Sequence, residues 1–157
     1  MNDTHLFFPL FVDLTEKKVV VVGGGTIAAR RIRTLLPFCR RITVLSPSLD
    51  PSLQKLPDGQ SLIWIQDSYQ KEALSGAAIV LACTDDPSLN EEICRDGRMA
   101  GALVNSCSKK QQCDFYFPGI LRKDPVVVGI TASGQDHHLA RMVRERIQSS
   151  VMEDSDI

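Results

Sequence analysis

The sequence predicts an α/β fold, a parallel sheet wound on both faces by helices and followed by a small strand-plus-helix segment. Three observations carry this reading. Short β-branched runs alternate with helical stretches from Lys18 to about Asn105. The first run, Lys-Val-Val-Val-Val at Lys18–Val22, is apolar without alternation, as a strand buried on both faces requires. Beyond about Ser106 the pattern breaks. Strand-helix alternation of this kind places parallel strands beside one another through right-handed crossovers.

Each element has its own local reason. Residues 26–36 are helix formers and arginines (Arg30, Arg31, Arg33) closed by Pro37. A second apolar strand, Arg41–Leu45, stops at Ser-Pro-Ser, residues 62–66 form a third and Ala77–Ala82 a fourth. A helix over 87–100 is entered through Asp85-Asp86-Pro87, since acids and proline suit a first turn. Residues 103–105 are a short fifth strand. Further on, Phe115-Tyr116-Phe117-Pro118 and residues 126–131 read as strands separated by Arg122-Lys123-Asp124-Pro125. A helix over 137–151 then carries Leu139, Met142, Val143, Ile147 and Val151 at three- and four-residue steps. These last elements have too little core of their own and call for a partner surface, most simply a second copy of the chain. The expected organisation is residues 1–106 as a nucleotide-binding domain, 107–151 as a dimerisation and substrate segment, and 152–157 as a disordered acidic tail.

Bulk properties exclude several classes. The chain has 157 residues, 43% hydrophobic and 24% charged, with a net charge of −1. That is ordinary for one globular domain with a small accessory element, and it offers no overall basic field for nucleic acid. No apolar run approaches the roughly 20 residues of a membrane helix. The Met-Asn-Asp-Thr-His start lacks the features of a secretory signal. Cys39, Cys83, Cys94, Cys107 and Cys113 are odd in number and show no CxxC spacing, which reads as free thiols in a reducing cytoplasm. Cys107, Cys113 and His137 are too irregularly spaced for a zinc site, and no metal is expected.

The chemistry begins at Gly23-Gly24-Gly25-Thr26-Ile27-Ala28, a G-x-G-x-x-A sequence directly after a buried strand and opening a helix. Gly23 permits the tight turn, Gly25 lets the backbone approach a pyrophosphate, and Ala28 lets helix and strand pack closely. The helix N-terminus adds free N–H groups and a positive dipole end. This is a Rossmann-like dinucleotide site. The acid that commonly meets the adenosine ribose about 20 residues on is replaced by Ser46, which can donate a hydrogen bond but repels no 2′-phosphate. Spacing alone therefore leaves NAD and NADP open. Thr84 and Asp85 follow the fourth strand and should line the cofactor cleft, while at least one of Asp85 and Asp86 caps the next helix.

Taken together and in order, several motifs resemble one family. They are Phe8-Pro9-Leu10-Phe11-Val12, the glycine loop with its following Ala and Arg, Thr84-Asp85-Asp86 with Asn90, Val104-Asn105, Cys113-Asp114-Phe115 with Phe117-Pro118, and Leu139-Ala140-Arg141 with Arg144. The set is similar to the precorrin-2 dehydrogenase family, which includes the amino-terminal module of siroheme synthase, and runs from about Leu6 to Ile147. The resemblance implies oxidation of the tetrapyrrole precorrin-2 to sirohydrochlorin with NAD as hydride acceptor, Asn105 beside the cofactor, and a homodimer interlocked through the segment after Asn105. Some members also insert ferrous iron.

Two departures qualify the resemblance. Members carry an Asp three residues after the Asn of the fifth strand, as candidate base and metal-handling group. Here that position is Ser108, and a hydroxyl is a poor base near neutral pH unless a neighbour activates it. Members also continue into a longer helical region, whereas this chain stops at Ile157. Asp114, His137 and His138 are the substitutes for the missing base, each with a surface or capping role as its simpler explanation. A substrate rich in carboxylates needs basic contacts, and Arg141, Lys109 and Arg144 are the candidates, ahead of Lys110, Arg122, Lys123 and Arg146. Two rival readings follow from Ser108: a catalytically silent NAD- or tetrapyrrole-binding protein, and a bifunctional dehydrogenase-ferrochelatase.

Overall fold

The computed structural model describes residues 6–56, 59–60 and 62–152; of the tail expected over 152–157, Met152 closes a helical turn and residues 153–157 lie outside the described residues. Five strands, β1 (Lys18–Val22), β2 (Arg41–Leu45), β3 (Ile63–Ile65), β4 (Ala77–Ala82) and β5 (Leu103–Ser106), form a parallel sheet in the order β3-β2-β1-β4-β5. From central β1 the chain steps outward through β2 to β3, then returns to β4 on the other side. Right-handed crossovers in opposite directions put the helices α1 (Thr26–Leu35) and α2 (Pro87–Met99) on opposite faces of the sheet. This is the doubly wound Rossmann-like architecture that the alternating pattern predicts.

Burial explains the apolar runs. Val19, Val20, Val21 and Val22 of β1 are all buried, as are Val44, Leu45, Val80, Leu81 and Ala82. Alternate side chains serve opposite faces, and Val20, Val22, Val80, Ala82 and Val104 pack with Ile93 and Cys94 of α2. α1 buries Ala28, Ala29, Ile32 and Leu35, and α2 buries Asn90, Ile93, Cys94 and Gly97, each on one stripe. Asp86 caps α2, its carboxylate accepting from Ser88 N (2.8 Å) and Leu89 N (3.3 Å), with Pro87 at the first helical position.

Contacts divide the chain into two compact units, Val12–Phe115 and a second made of residues 6–11 with 116–152. In the second unit β6 (Gly119–Lys123) and β7 (Val126–Ile130) form an antiparallel hairpin, and α3 (His137–Ile147) lies against both strands. The Phe7 ring meets that of Tyr116 at 4.3 Å, and Phe7 N donates to Ser133 Oγ (3.3 Å). The first residues thus pack with the last elements, which no sequence pattern indicates.

Two expectations need correction here. Phe115-Tyr116-Phe117-Pro118 is not a strand; the hairpin begins at Gly119, so Arg122 and Lys123 belong to β6 and not to the link between strands. The aromatic run mimics a strand in composition, but its approach makes a different set of bonds along the edge of β5. Asp114 N donates to Val104 O (2.8 Å), Asp114 Oδ2 accepts from Val104 N (2.9 Å), and Asn105 Nδ2 donates to Phe115 O (2.7 Å). The last helix is also shorter than expected, ending at Ile147 and continuing as a wider π turn over Gln148–Met152. Among the described residues no helix is long and apolar enough to cross a membrane.

Gly97 shows how closely α2 approaches the sheet. A Cβ there would lie 2.8 Å from Val104 Cγ1 and 3.3 Å from Val80 Cβ, both fully buried. Alanine is ordinarily about 1 kcal/mol better than glycine inside a helix. Overpacking typically costs about 1–3 kcal/mol, so Gly97→Ala should lower stability in urea titration despite the gain in helix propensity.

Candidate dinucleotide site

The glycine loop lies at the carboxyl end of β1, between the ends of β2 and β4. Gly23 adopts φ 110°, donates its N–H to Leu45 O (2.9 Å), and leaves no room for a Cβ, which would overlap the Cys83 carbonyl. Gly24 is closed in the same way by Ser48 O and the Ser46 hydroxyl, and its carbonyl accepts from Asp50 N (2.7 Å). Gly25 differs: a Cβ there would meet nothing within 4 Å. It stands at the N-cap of α1, where no side chain caps the helix and no acid occupies the first turn. Thr26 and Ile27 are exposed beside it, while Ala28 is buried against the sheet. Free N–H groups and the positive end of the helix dipole therefore face open space, a surface suited to a pyrophosphate.

Other expected contacts are differently disposed. The Ser46 hydroxyl is buried and donates to Ser48 O (2.7 Å), so it is committed to the loop beneath Gly24. Asp50, whose carboxylate caps the 3-10 turn Pro51–Leu53 through Ser52 N (2.9 Å), is the acid that the fold brings to the glycine loop. Hydrogen bonds from Ser52 hold its carboxyl below the usual range, with Arg33 adding a weaker attraction. It was missed because it lies past the end of β2, where spacing rules look for the ribose acid at the strand terminus itself.

At the ends of β4 and β5 the organiser is Asn90, fully buried on α2. Its Oδ1 accepts from Thr84 N (3.0 Å) and Thr84 Oγ1 (2.8 Å). Its Nδ2 donates to Thr84 O (3.0 Å) and lies 3.2 Å from Ser108 Oγ. One amide therefore fixes the loop after β4 and the loop after β5 together. Asp85 is left exposed at the cleft while Asp86 caps α2. Ser108 Oγ also meets Ser106 Oγ at 3.0 Å. Its two neighbours are an amide and a hydroxyl, neither of which activates it as a base. Asn105 is buried between α1 and the chain edge, accepting from Arg31 Nη1 and donating to Phe115 O.

Asp114 serves as a brace: one oxygen binds Val104 N, and the other pairs with Arg98 Nε (3.0 Å). Lys109 pairs with Glu91 of α2 at 3.1 Å, both exposed. His137, Arg141 and Arg144 belong to the second unit. His137 opens α3 at the surface, where Asp136 caps by accepting from Leu139 N (2.8 Å). Arg141 forms an exposed pair with Glu145 at 2.8 Å, and the Arg144 stem lies against Gly119. Pairs this exposed are weak enough to be exchanged for a ligand's carboxylates. Among the described residues no three His, Cys, Asp or Glu side chains gather as metal ligands.

Fold and site together define an NAD(P)-binding protein of Rossmann type. The chain belongs to the NAD_binding_7 family, described as "Putative NAD(P)-binding", whose model matches residues 10–119. It is 36% identical over 143 residues to siroheme synthase 1 of Serratia proteamaculans, covering 91% of this chain and 30% of that protein. It is 34% identical over 143 residues to siroheme synthase of Mannheimia succiniciproducens, with the same coverage. The chain thus spans about 30% of the length of the curated relatives it matches. Among solved structures it shares its fold with SirC, precorrin-2 dehydrogenase, at TM-score 0.76 and 24% identity, over 91% of this chain and 70% of that one.

Gly25→Asp separates binding from folding. Space is available for the side chain, so the melting temperature should stay close to the parent's. The carboxylate occupies the phosphate position, and calorimetry should show dinucleotide affinity at least about 100-fold weaker, a loss of about 2.7 kcal/mol.

Proposed function

We propose that this chain oxidises precorrin-2 to sirohydrochlorin, with NAD+ as hydride acceptor, and acts as a homodimer in the cytoplasm. The observation that carries the dehydrogenase reading is the open face of Gly25 at the uncapped N-terminus of α1. The tetrapyrrole substrate is supported by likeness to siroheme synthases over nine-tenths of the chain. The bound nicotinamide supplies the hydride acceptor, and substrate plus NAD+ gives product, NADH and a proton. The residues of this chain bind and orient. The Gly23–Ala28 turn holds the pyrophosphate, the Asn90-anchored Thr84 loop shapes the crevice at the ends of β1 and β4, and Arg141, Lys109 and Arg144 meet substrate carboxylates. NAD is the cofactor we favour over NADP, in line with the family resemblance.

No side chain at the Ser108 position is set up to take the proton. Among the described residues Ser108 Oγ meets an amide and a hydroxyl, and Asp114 is engaged twice. Water therefore receives the proton after hydride transfer, which leaves oxidation largely independent of position 108. A positioned general base contributes about 10²–10⁴-fold where one is used. Following product absorbance, the parent should turn over with NAD+ faster than with NADP+. Ser108→Ala should change the rate by less than about threefold, far below the base effect. Ser108→Asp should confer or raise ferrous iron insertion. No turnover by the parent, with dinucleotide and tetrapyrrole both bound, would instead favour a silent binding protein.

The dimer proposal rests on the second unit. α3 buries no residue, and Leu139, Met142 and Val143 are 48%, 49% and 39% exposed. Leu6, Phe8, Leu10 and Phe11 of the same unit are exposed too. A second copy of the chain would cover such a face, and an obligate interface often buries more than about 2,000 Å². Light scattering at micromolar concentration should give the mass of a dimer. Met142→Asp places a charge in that face and should yield unfolded or aggregated protein, not a clean monomer.

A further inference from the structure

A dinucleotide with its pyrophosphate at Gly25 sends its adenosine half over the carboxyl end of β2, where an acid ordinarily receives the ribose. Ser46, at that strand end, is buried, and its hydroxyl is spent on Ser48 O (2.7 Å). The chain then turns back against the glycine loop. A Cβ on Gly24 would overlap Ser48 O, and Gly24 O accepts from Asp50 N at 2.7 Å. Residues 46–50 thus wall the glycine loop on its β2 side, and Asp50 is the one acid among these five. Trp64 Nε1 holds this wall by donating to Ser46 O (3.1 Å), and Gln66 Nε2 by donating to Pro47 O (3.3 Å). On its far side Leu53, whose side chain is buried, donates its N–H to Asp50 O (2.9 Å).

We propose that Asp50 sets the cofactor preference: its free carboxylate oxygen accepts the 2′-hydroxyl of the adenosine ribose, and its charge excludes a 2′-phosphate. The carboxylate divides its work. Oδ1 accepts from Ser52 N (2.9 Å) and from the Ser52 hydroxyl, while Oδ2 takes no hydrogen bond among the described residues. Asp67, the acid that follows β3, is different, with its two oxygens engaged by Ser68 N (2.7 Å) and Gln70 Nε2 (2.9 Å). An aspartate is ionised at neutral pH. It is therefore a strong acceptor for a hydroxyl and a repulsive neighbour for a phosphate. Discrimination between two such ligands rests on the repulsive element as much as on the attractive one. The inference depends on the dinucleotide reading of the glycine loop and adds to it the residue that chooses between the two cofactors.

Calorimetry on the full chain, with NAD+ and with NADP+ as the two probes, tests the assignment. The parent should bind NAD+ at least about tenfold more tightly than NADP+. Asp50→Asn removes the charge but keeps an acceptor for Ser52 N, since asparagine caps a turn about as well as aspartate. Its affinity for NADP+ should rise, and the ratio of NAD+ to NADP+ affinity should fall at least about tenfold. Asp67→Asn should leave both affinities as they are in the parent. An unchanged ratio in an Asp50→Asn variant that still binds NAD+ would overturn the proposal and leave the glycine-loop reading standing. Both affinities falling by one common factor would do the same, because Asp50 would then serve only the turn it caps. Equal binding of the two dinucleotides by the parent also overturns it. Binding of neither sinks the dinucleotide reading, and the proposal with it.

Discussion

The turn at Gly23 is the constraint on which the rest of the larger unit depends. Its backbone passes between the end of β2, to which it donates a hydrogen bond, and the Cys83 carbonyl at the end of β4. Only a hydrogen fits on its α-carbon, and φ 110° is a conformation that L side chains rarely adopt. Because β1 can end this way, the strands on either side close against it, and the chain can step from one half of the sheet to the other. The crevice beyond the carboxyl ends of β1 and β4 follows from that topology, as does the placing of the α1 N-terminus at its mouth.

A second level of order comes from groups that use hydrogen bonds where another element might have stood. Among the described residues no sixth strand covers the edge of β5. Asp114, the Phe115 carbonyl and Cys113 Sγ, which accepts from Ser106 N at 3.2 Å, occupy that edge instead. An unpaired edge invites pairing with another chain, and these side-chain bonds remove part of that template. The same economy explains why Asp114 is poorly placed as a proton acceptor. Its oxygens are taken by an arginine and a backbone N–H, and freeing the second would leave the Val104 amide at the strand edge without its partner.

Much of the larger unit was legible because its signals are local. The continuous apolar runs at Lys18–Val22, Arg41–Leu45 and Ala77–Ala82 match the observed strands end to end, since strands buried on both faces tolerate little else. The glycine loop was legible for the same reason: strand, turn and helix follow one another directly. What could not be read depends on partners distant in the chain. Phe115-Tyr116-Phe117 has strand composition, but its hydrogen bonds are set by the neighbouring edge of β5. Ser46 stands where a ribose contact is expected, yet its hydroxyl turns to Ser48 in a loop whose path no periodicity describes. Asn90 was visible as part of a motif, while its grip on both the Thr84 and Ser108 loops emerges only when α2 lies on the sheet.

The division of the chain has a consequence for its synthesis. Val12–Phe115 is continuous, so every contact that closes the sheet is available once Phe115 has cleared the ribosome. The second unit is discontinuous, and residues 6–11 must wait for the hairpin and α3 before their own contacts exist. Domains fold as units during translation, the earlier ones first. The apolar Phe8, Leu10 and Phe11 are therefore made well before the elements that residues 6–11 belong with, and stay exposed in the finished unit.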